Sequence, residues 1–249
     1  MYPVLPFGPM TIPTGPLIIL VATTIGLEVA GRYGRRLQLN MDVVWNAGLF
    51  AILAGLIVAR LWNVIQFWPI YIAEPWLIVS IRPSGFAPLP GSVAAIVVVY
   101  GYMLRHALEP ARVTTALGVG LVTALAIVQA GGLLTGTLVG IASDGPWALR
   151  YLGELRHPVA LYYAFGLLVV VVTLWIVVHR VPPLHLLLFL LLGCGIVYLT
   201  FGAFEFQAAV VGGWRVKQVS GFLTALLSLL FLSRLPHSLQ AALPNEHYS

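Results

Sequence analysis

Residues 158–204 read PVALYYAFGLLVVVVTLWIVVHRVPPLHLLLFLLLGCGIVYLTFGAF. Two long apolar runs flank a break at Val181-Pro182-Pro183, with Arg180 beside it. A helix needs about 20 predominantly apolar residues to cross the hydrocarbon core of a bilayer. Each run meets that length. The residue before a proline is steered away from the helical region, so the break ends the first run sharply. The stretch therefore reads as two membrane helices joined by a tight turn, at roughly 158–179 and 184–204.

Working outward, further runs of the same kind lie at roughly 14–31, 43–64, 91–104, 113–130 and 218–235. The expected architecture is all-α: a single polytopic transmembrane domain over residues 1–249 with about seven helices. Residues 131–142 (GGLLTGTLVGIA) either extend the fourth span or form a broken, re-entrant piece, as their glycines permit. The whole-chain composition agrees. Hydrophobic residues make up 60% of the chain and charged residues only 8%, and the mean hydropathy is +0.97. A soluble domain carries about 25% charged residues because its surface meets water. This chain cannot cover such a surface, which excludes a soluble enzyme; its low polarity equally excludes a disordered chain.

The net charge of +5 is read for topology rather than for nucleic acid, because basic loops fix orientation in a membrane. Arg32, Arg35, Arg36, Arg105, Arg112, Arg180 and Arg234 fall on one side; Arg82, Arg150, Arg156, Arg215 and Lys217 fall on the other, in longer loops. The first set clusters at span ends, which predicts an N-terminus outside and a C-terminus in the cytoplasm. Lys217 is the sole lysine among the 13 basic residues. The N-terminal MYPVLPFGPM is read as an irregular lead rather than a signal peptide, having no positive n-region. Residues 65–90, with Trp68, Tyr71 and Trp76 among prolines, read as an interfacial arm on the outer face, where amphipathic rings suit the headgroup layer.

Each ionisable group in a span needs an account, since burying charge in hydrocarbon is costly. Arg60 sits late in the second span, either snorkelling to the headgroups or holding a lipid phosphate. Glu28 reads as a local ion-pair partner of the nearby arginines. Glu205 follows the sixth span and is expected to pair with Arg60 at similar depth. His106, His157, His179, His185, His237 and His247 form no HxxxH or HExxH pattern. His157 stands apart in Arg156-His157-Pro158, at the outer entry to the fifth span with Tyr162 one turn on; the plainer reading is a polar cap. One cysteine, Cys194, excludes an intrachain disulfide and any Cys-rich metal site. No metal and no cofactor are expected beyond a bound phospholipid. GGLLTG resembles a phosphate cradle only in its glycines, which in a span favour close helix packing.

The chain resembles the prolipoprotein diacylglyceryl transferase family over nearly its whole length. The resemblance rests on GLIVARLWNV at 55–64 with the following QFWPIYIAEP, on residues 91–99, on RHPVALY at 156–162, which is similar to RHPSQLY, and on FGAF at 201–204, which is similar to YGAF. It implies a seven-helix scaffold in the bacterial cytoplasmic (inner) membrane, N-out and C-in. It implies an activity that moves a diacylglyceryl group from phosphatidylglycerol to the thiol of a lipobox cysteine, with Arg60 matching a family arginine. The site positions depart from the pattern. The family's His-Gly-Gly is Leu89-Pro90-Gly91. Its GRxGNFxNGE falls on 129–138, putting Ala130 at the arginine and Leu133 and Gly136 at the asparagines. Phe201 replaces the tyrosine of YGAFR, and Glu205 replaces its arginine. Ile12-Pro13-Thr14-Gly15 occupies the stretch of a further tyrosine.

These replacements predict a catalytically degenerate member that binds membrane phospholipid or serves as an accessory subunit beside other membrane proteins. The alternative is an active transferase with a relocated site, for which Arg60, Arg150, Arg156, His157 and Tyr162 are the headgroup candidates. A weaker alternative is a pigment- or haem-holding subunit that uses one axial histidine. A transporter is weaker still, since the spans hold few ionisable groups.

Overall fold

A computed structural model describes residues 4–7, 10–78, 85–151, 153–206 and 208–235. Arg82, His237 and His247 lie outside the described residues. A short hairpin, β1 (Val4–Phe7) and β2 (Met10–Pro13), leads into α1 (Thr14–Arg36). The chain continues through α2 (Met41–Gln66), the short α3 (Trp68–Ala73), α4 (Pro88–Arg105), α5 (Pro110–Thr135), α6 (Val159–Val177), α7 (Pro183–Phe201) and α8 (Val216–Arg234). Seven of these helices are long and apolar enough to cross a membrane. At about 1.5 Å per residue they run roughly 27–39 Å, which matches a hydrocarbon core of about 30 Å. The protein is a multi-pass, all-α membrane protein.

The helix ends follow local chemistry. Asn40 caps α2 by accepting a bond from the Asp42 backbone N–H at 2.9 Å, the expected role of an Asn at that position. Prolines open α4, α5 and α7, where a missing N–H costs nothing and the fixed φ suits a first turn. This moves the start of the third long helix to Pro88, ahead of the apolar run that begins at 91. The glycine-rich stretch 131–142 divides. Gly131 and Gly132 continue α5, and the helix ends at Gly136 in the left-handed region, φ 71°, a common helix stop. Beyond it the backbone is extended. The arm is partly helical: α2 runs on to Gln66, α3 follows, and a 3-10 turn covers Pro75–Ile78.

The helices pack in a chain of neighbours. α4 lies on α2, α2 on α1, α1 on α5, α5 on α6 and α7, and α7 on α8. The core sits where α1, α5, α6 and α7 meet, with Tyr33, Tyr163, Leu167, Leu174 and Leu186 fully buried. Outward residues such as Phe165 and Phe231 are exposed and apolar, as a lipid-facing surface requires. Three crossings bring paired glycines together, Gly55 with Gly91 where α2 meets α4 and two others. A Cβ at Gly26 would stand 2.7 Å from Gly120 O, and one at Gly195 would stand 2.7 Å from Gly221 O. Small residues let membrane helices approach closely without a hydrophobic drive. Gly195→Leu is expected to separate α7 from α8 and cost about 1–3 kcal/mol. Gly101→Ala, with nothing within 4 Å of the new Cβ, is expected to be neutral or stabilising by about 0.5–1 kcal/mol. Thermal unfolding in one detergent compares the two; equal losses would remove the packing argument.

Candidate functional site

All the longer connections gather at one end of the bundle, beyond Gln66, Thr135 and Phe201 and before Thr14, Pro88, Val159 and Val216. The connection after α5 builds a small cap there. Residues 139–143 run extended between two neighbours. On one side Ser143 N–H donates to Leu155 O and His157 N–H donates to Ile141 O, both at 3.0 Å. On the other, Ile141 N–H donates to Phe204 O and Phe206 N–H donates to Val139 O, both at 2.9 Å. Gly140 sits at the tightest point: a Cβ would fall 2.3 Å from His157 O. The hairpin β3 (Leu149–Tyr151) and β4 (Glu154–Arg156) flanks this strap.

The strap fixes His157 at the mouth of α6. Its Nδ1 lies 3.1 Å from the Tyr162 hydroxyl, and its ring packs 5.0 Å from Phe204. Tyr162 in turn packs 5.6 Å from Phe201. His157, Tyr162, Phe201, Phe204 and Trp147 line a cavity of about 210 Å³. The cavity is apolar in its walls, with the imidazole–phenol pair and the Trp147 indole, which hydrogen-bonds Tyr162, as its polar features. The imidazole–phenol pair can take up or pass on a proton within an apolar pocket.

Arg156 stands beside this cavity but is engaged. It donates to Gly140 O at 3.2 Å and to Glu154, and its guanidinium lies 4.3 Å from the centre of the Phe206 ring. Arg150 is exposed on β3. Two further polar groups sit where α7 meets α8. Glu205 is buried, its side chain 9% exposed, and its Oε1 accepts from Lys217 Nζ at 2.8 Å. Its Oε2 is buried without a hydrogen-bond partner among the described residues, as is the Tyr163 hydroxyl. Lys217 also lies over the Tyr163 ring, 5.3 Å from its centre. Arg215 NH1 donates to the carbonyls of Gly202, Ala203 and Glu205 at 2.7–3.0 Å.

The expected Arg60–Glu205 pair is not formed. Arg60 Nε donates to Ile78 O at 3.1 Å, NH1 donates to Gly85 O at 2.6 Å, and NH2 donates to Leu77 O. Its guanidinium is stacked between Tyr71 and Phe86. Tyr71 itself donates to Asn63 Oδ1 at 2.7 Å. The physical reason is proximity: the arm folds back over the end of α2 and offers carbonyls, while Glu205 has Lys217 on the next helix. Arg60→Ala is expected to loosen the arm and cost about 2–3 kcal/mol, the worth of hydrogen bonds to a charged donor. Arg60→Lys is expected to recover little, since an ammonium cannot reproduce the planar fork. Faster proteolysis within 68–86 is the readout; an unchanged rate would refute the anchoring role.

At the remaining replaced positions, Leu89 is exposed in the first turn of α4, Ala130 and Leu133 are half-buried on α5, Gly136 ends that helix, and Phe201 lines the cavity. Trp147 and Phe204 were not expected in the cavity, and Lys217 was expected only as a topological charge. Its being the sole lysine was the available signal. Elsewhere, Glu28 pairs with Arg32 at 2.6 Å, His179 Nε2 accepts from Arg36 at 3.1 Å, and His106 stacks on Tyr102. Among the described residues no group of three His, Cys, Asp or Glu side chains is placed to hold a metal.

Comparison with known proteins fits this scaffold. The family model described as prolipoprotein diacylglyceryl transferase matches residues 3–234. A phosphatidylglycerol–prolipoprotein diacylglyceryl transferase of Clostridioides difficile is 27% identical over 157 residues, covering 62% of this chain and 63% of the relative. One of Corynebacterium diphtheriae is 28% identical over 147 residues, covering 57% and 52%. The chain thus spans less than two thirds of the length of those relatives. One of Lactococcus lactis is 23% identical over 242 residues, covering 92% and 93%. With seven membrane-length helices and these bacterial relatives, the protein is a multi-pass protein of the bacterial cytoplasmic membrane, and the chain belongs to the prolipoprotein diacylglyceryl transferase family.

Proposed function

We propose that the chain acts on membrane phospholipid as a phosphatidylglycerol–prolipoprotein diacylglyceryl transferase whose polar site has moved to His157 and Tyr162. The observation that carries this is the 3.1 Å contact between His157 Nδ1 and the Tyr162 hydroxyl in an aromatic cavity, on RHPVALY, a stretch that keeps most of the family's pattern. The relatives' names point the same way, toward an active transferase rather than the degenerate subunit that the replaced positions alone suggest. The site lies on the outer face, with the N-terminus outside and the C-terminus in the cytoplasm.

The chemistry is a displacement at the glyceryl carbon. The thiol sulfur of the acceptor cysteine forms a C–S bond, the C–O bond to phosphate breaks, and glycerol phosphate leaves with the electron pair. The thiol proton passes to His157, since the thiolate is the nucleophile. Tyr162 holds the imidazole in place. The aromatic walls offer an apolar surface to the glyceryl end of the lipid.

A second reading, a non-catalytic lipid-binding or accessory subunit, is favoured by one observation. Leu89, Ala130, Leu133, Gly136, Phe201 and Glu205 occupy the positions where the family pattern has polar or cationic groups. One experiment separates the two. Pure protein is incubated with phosphatidylglycerol and a lipobox peptide, and the peptide mass is followed. A diacylglyceryl adduct on the thiol above a heat-inactivated control supports the transferase; its absence leaves the binding role.

A further inference from the structure

A phospholipid headgroup brings a phosphate, and several cations are already engaged. Arg60 is held within the arm, and Arg156 is paired with Glu154 and has a side chain only 16% exposed. Lys217 differs. An ammonium has three N–H donors, and only the bond to Glu205 Oε1 is made among the described residues. Its side chain is 37% exposed, while that of its partner is 9% exposed. The carboxylate is the buried partner; the ammonium meets it and the Tyr163 ring, and it keeps two N–H donors on the more exposed side chain of the pair. Arg215 touches the same residue, donating to the Glu205 carbonyl at 3.0 Å. Glu205, Lys217 and Arg215 together sum to one positive charge. Both cations stand at the start of α8, whose N-cap residue supplies no side-chain cap, so the partial positive charge of the helix end adds to theirs.

We propose that Lys217 takes the phosphate of the lipid headgroup, with Glu205 as the positioning residue that holds its ammonium and Arg215 as the second positive charge. The inference rests on the phospholipid reading above. It also gives the charge reversal at 205 a physical sense: a carboxylate stands where the family pattern has an arginine, and the lost cation returns from the next helix, twelve residues on.

The test uses the full purified chain in detergent, titrated with short-chain phosphatidylglycerol, with the matching diacylglycerol, and with inorganic phosphate, and read by native mass spectrometry. Wild type is expected to prefer phosphatidylglycerol over diacylglycerol and to bind free phosphate weakly. The double variant E205Q/K217M removes both charges without stranding a buried carboxylate. It is expected to lose roughly 10- to 100-fold in phosphatidylglycerol affinity, the worth of a hydrogen bond to a charged group, with diacylglycerol binding unchanged. K217R is expected to keep the preference, and E205Q alone to keep most of it, because the glutamine carbonyl still accepts from the ammonium. Unchanged phosphatidylglycerol affinity in E205Q/K217M, or loss of diacylglycerol binding in parallel, overturns the role of Lys217 while leaving the phospholipid reading standing. A wild-type chain that shows no preference for phosphatidylglycerol removes that reading itself, and inorganic phosphate bound as tightly as the lipid would assign the site to a free anion.

Discussion

His157→Ala is expected to cut thiol transfer by roughly 100- to 10,000-fold, the range for a lost general acid–base group. The backbone around it should survive. The His157 N–H bond to Ile141 O at 3.0 Å is main chain to main chain, so the strap that caps the cavity does not depend on the imidazole. What goes is the contact to the Tyr162 hydroxyl and the ring packing on Phe204. Tyr162→Phe is expected to lose less, since it removes the group that orients the base and leaves the base itself. The order of the two effects is the diagnostic. A simple pocket lining would lose activity in proportion to lost packing, and His157→Phe would then restore it. The measurement is the initial rate of peptide modification at saturating phosphatidylglycerol, with thermal unfolding alongside. An H157A rate within a few-fold of wild type would place the base elsewhere.

The membrane helices were legible because each is a run of apolar side chains long enough to span, and in hydrocarbon only a helix satisfies every backbone group of such a run. Their ends were less so. The third span could start at 91 or earlier in PLPG, and Pro88 and Pro90 do sit in the first turn of α4, where proline is tolerated. Of the two readings open for 131–142, extension holds through Thr135, until Gly136 turns left-handed. The site was legible in part for a similar reason. His157 and Tyr162 were singled out, but their contact depends on His157 standing two residues before the first residue of α6, held by the extended strap 139–143 earlier in the same connection. Trp147 reaches the cavity from a loop, with no periodicity to announce it. The partner of Glu205 was misassigned because depth alone matched it with Arg60. Partner choice depends on which helices pack together, and here α7 lies on α8 while α2 lies on α4.

That packing gives the Glu205–Lys217 pair an expected stability effect as large as that of Arg60→Ala. Lys217→Met leaves a buried carboxylate facing no cation. Breaking a fully buried pair costs about 3–5 kcal/mol, because the remaining charge is uncompensated. Lys217 is 37% exposed, so solvent and headgroups already screen part of the attraction, and about 2–3 kcal/mol is the expected loss. Glu205→Gln acts on the other side of the pair. It leaves a half-exposed ammonium that can turn to water, and the expected loss is about 1 kcal/mol or less. The double variant E205Q/K217M carries no stranded charge, so it is expected to be more stable than Lys217→Met alone. The coupling in that cycle should reach about 1–3 kcal/mol, the range for contacting charges. Thermal unfolding of all four proteins in one detergent measures it. Losses that simply add would show that the two charges do not sense each other, and Glu205 would then be a buried carboxylate held by something other than Lys217.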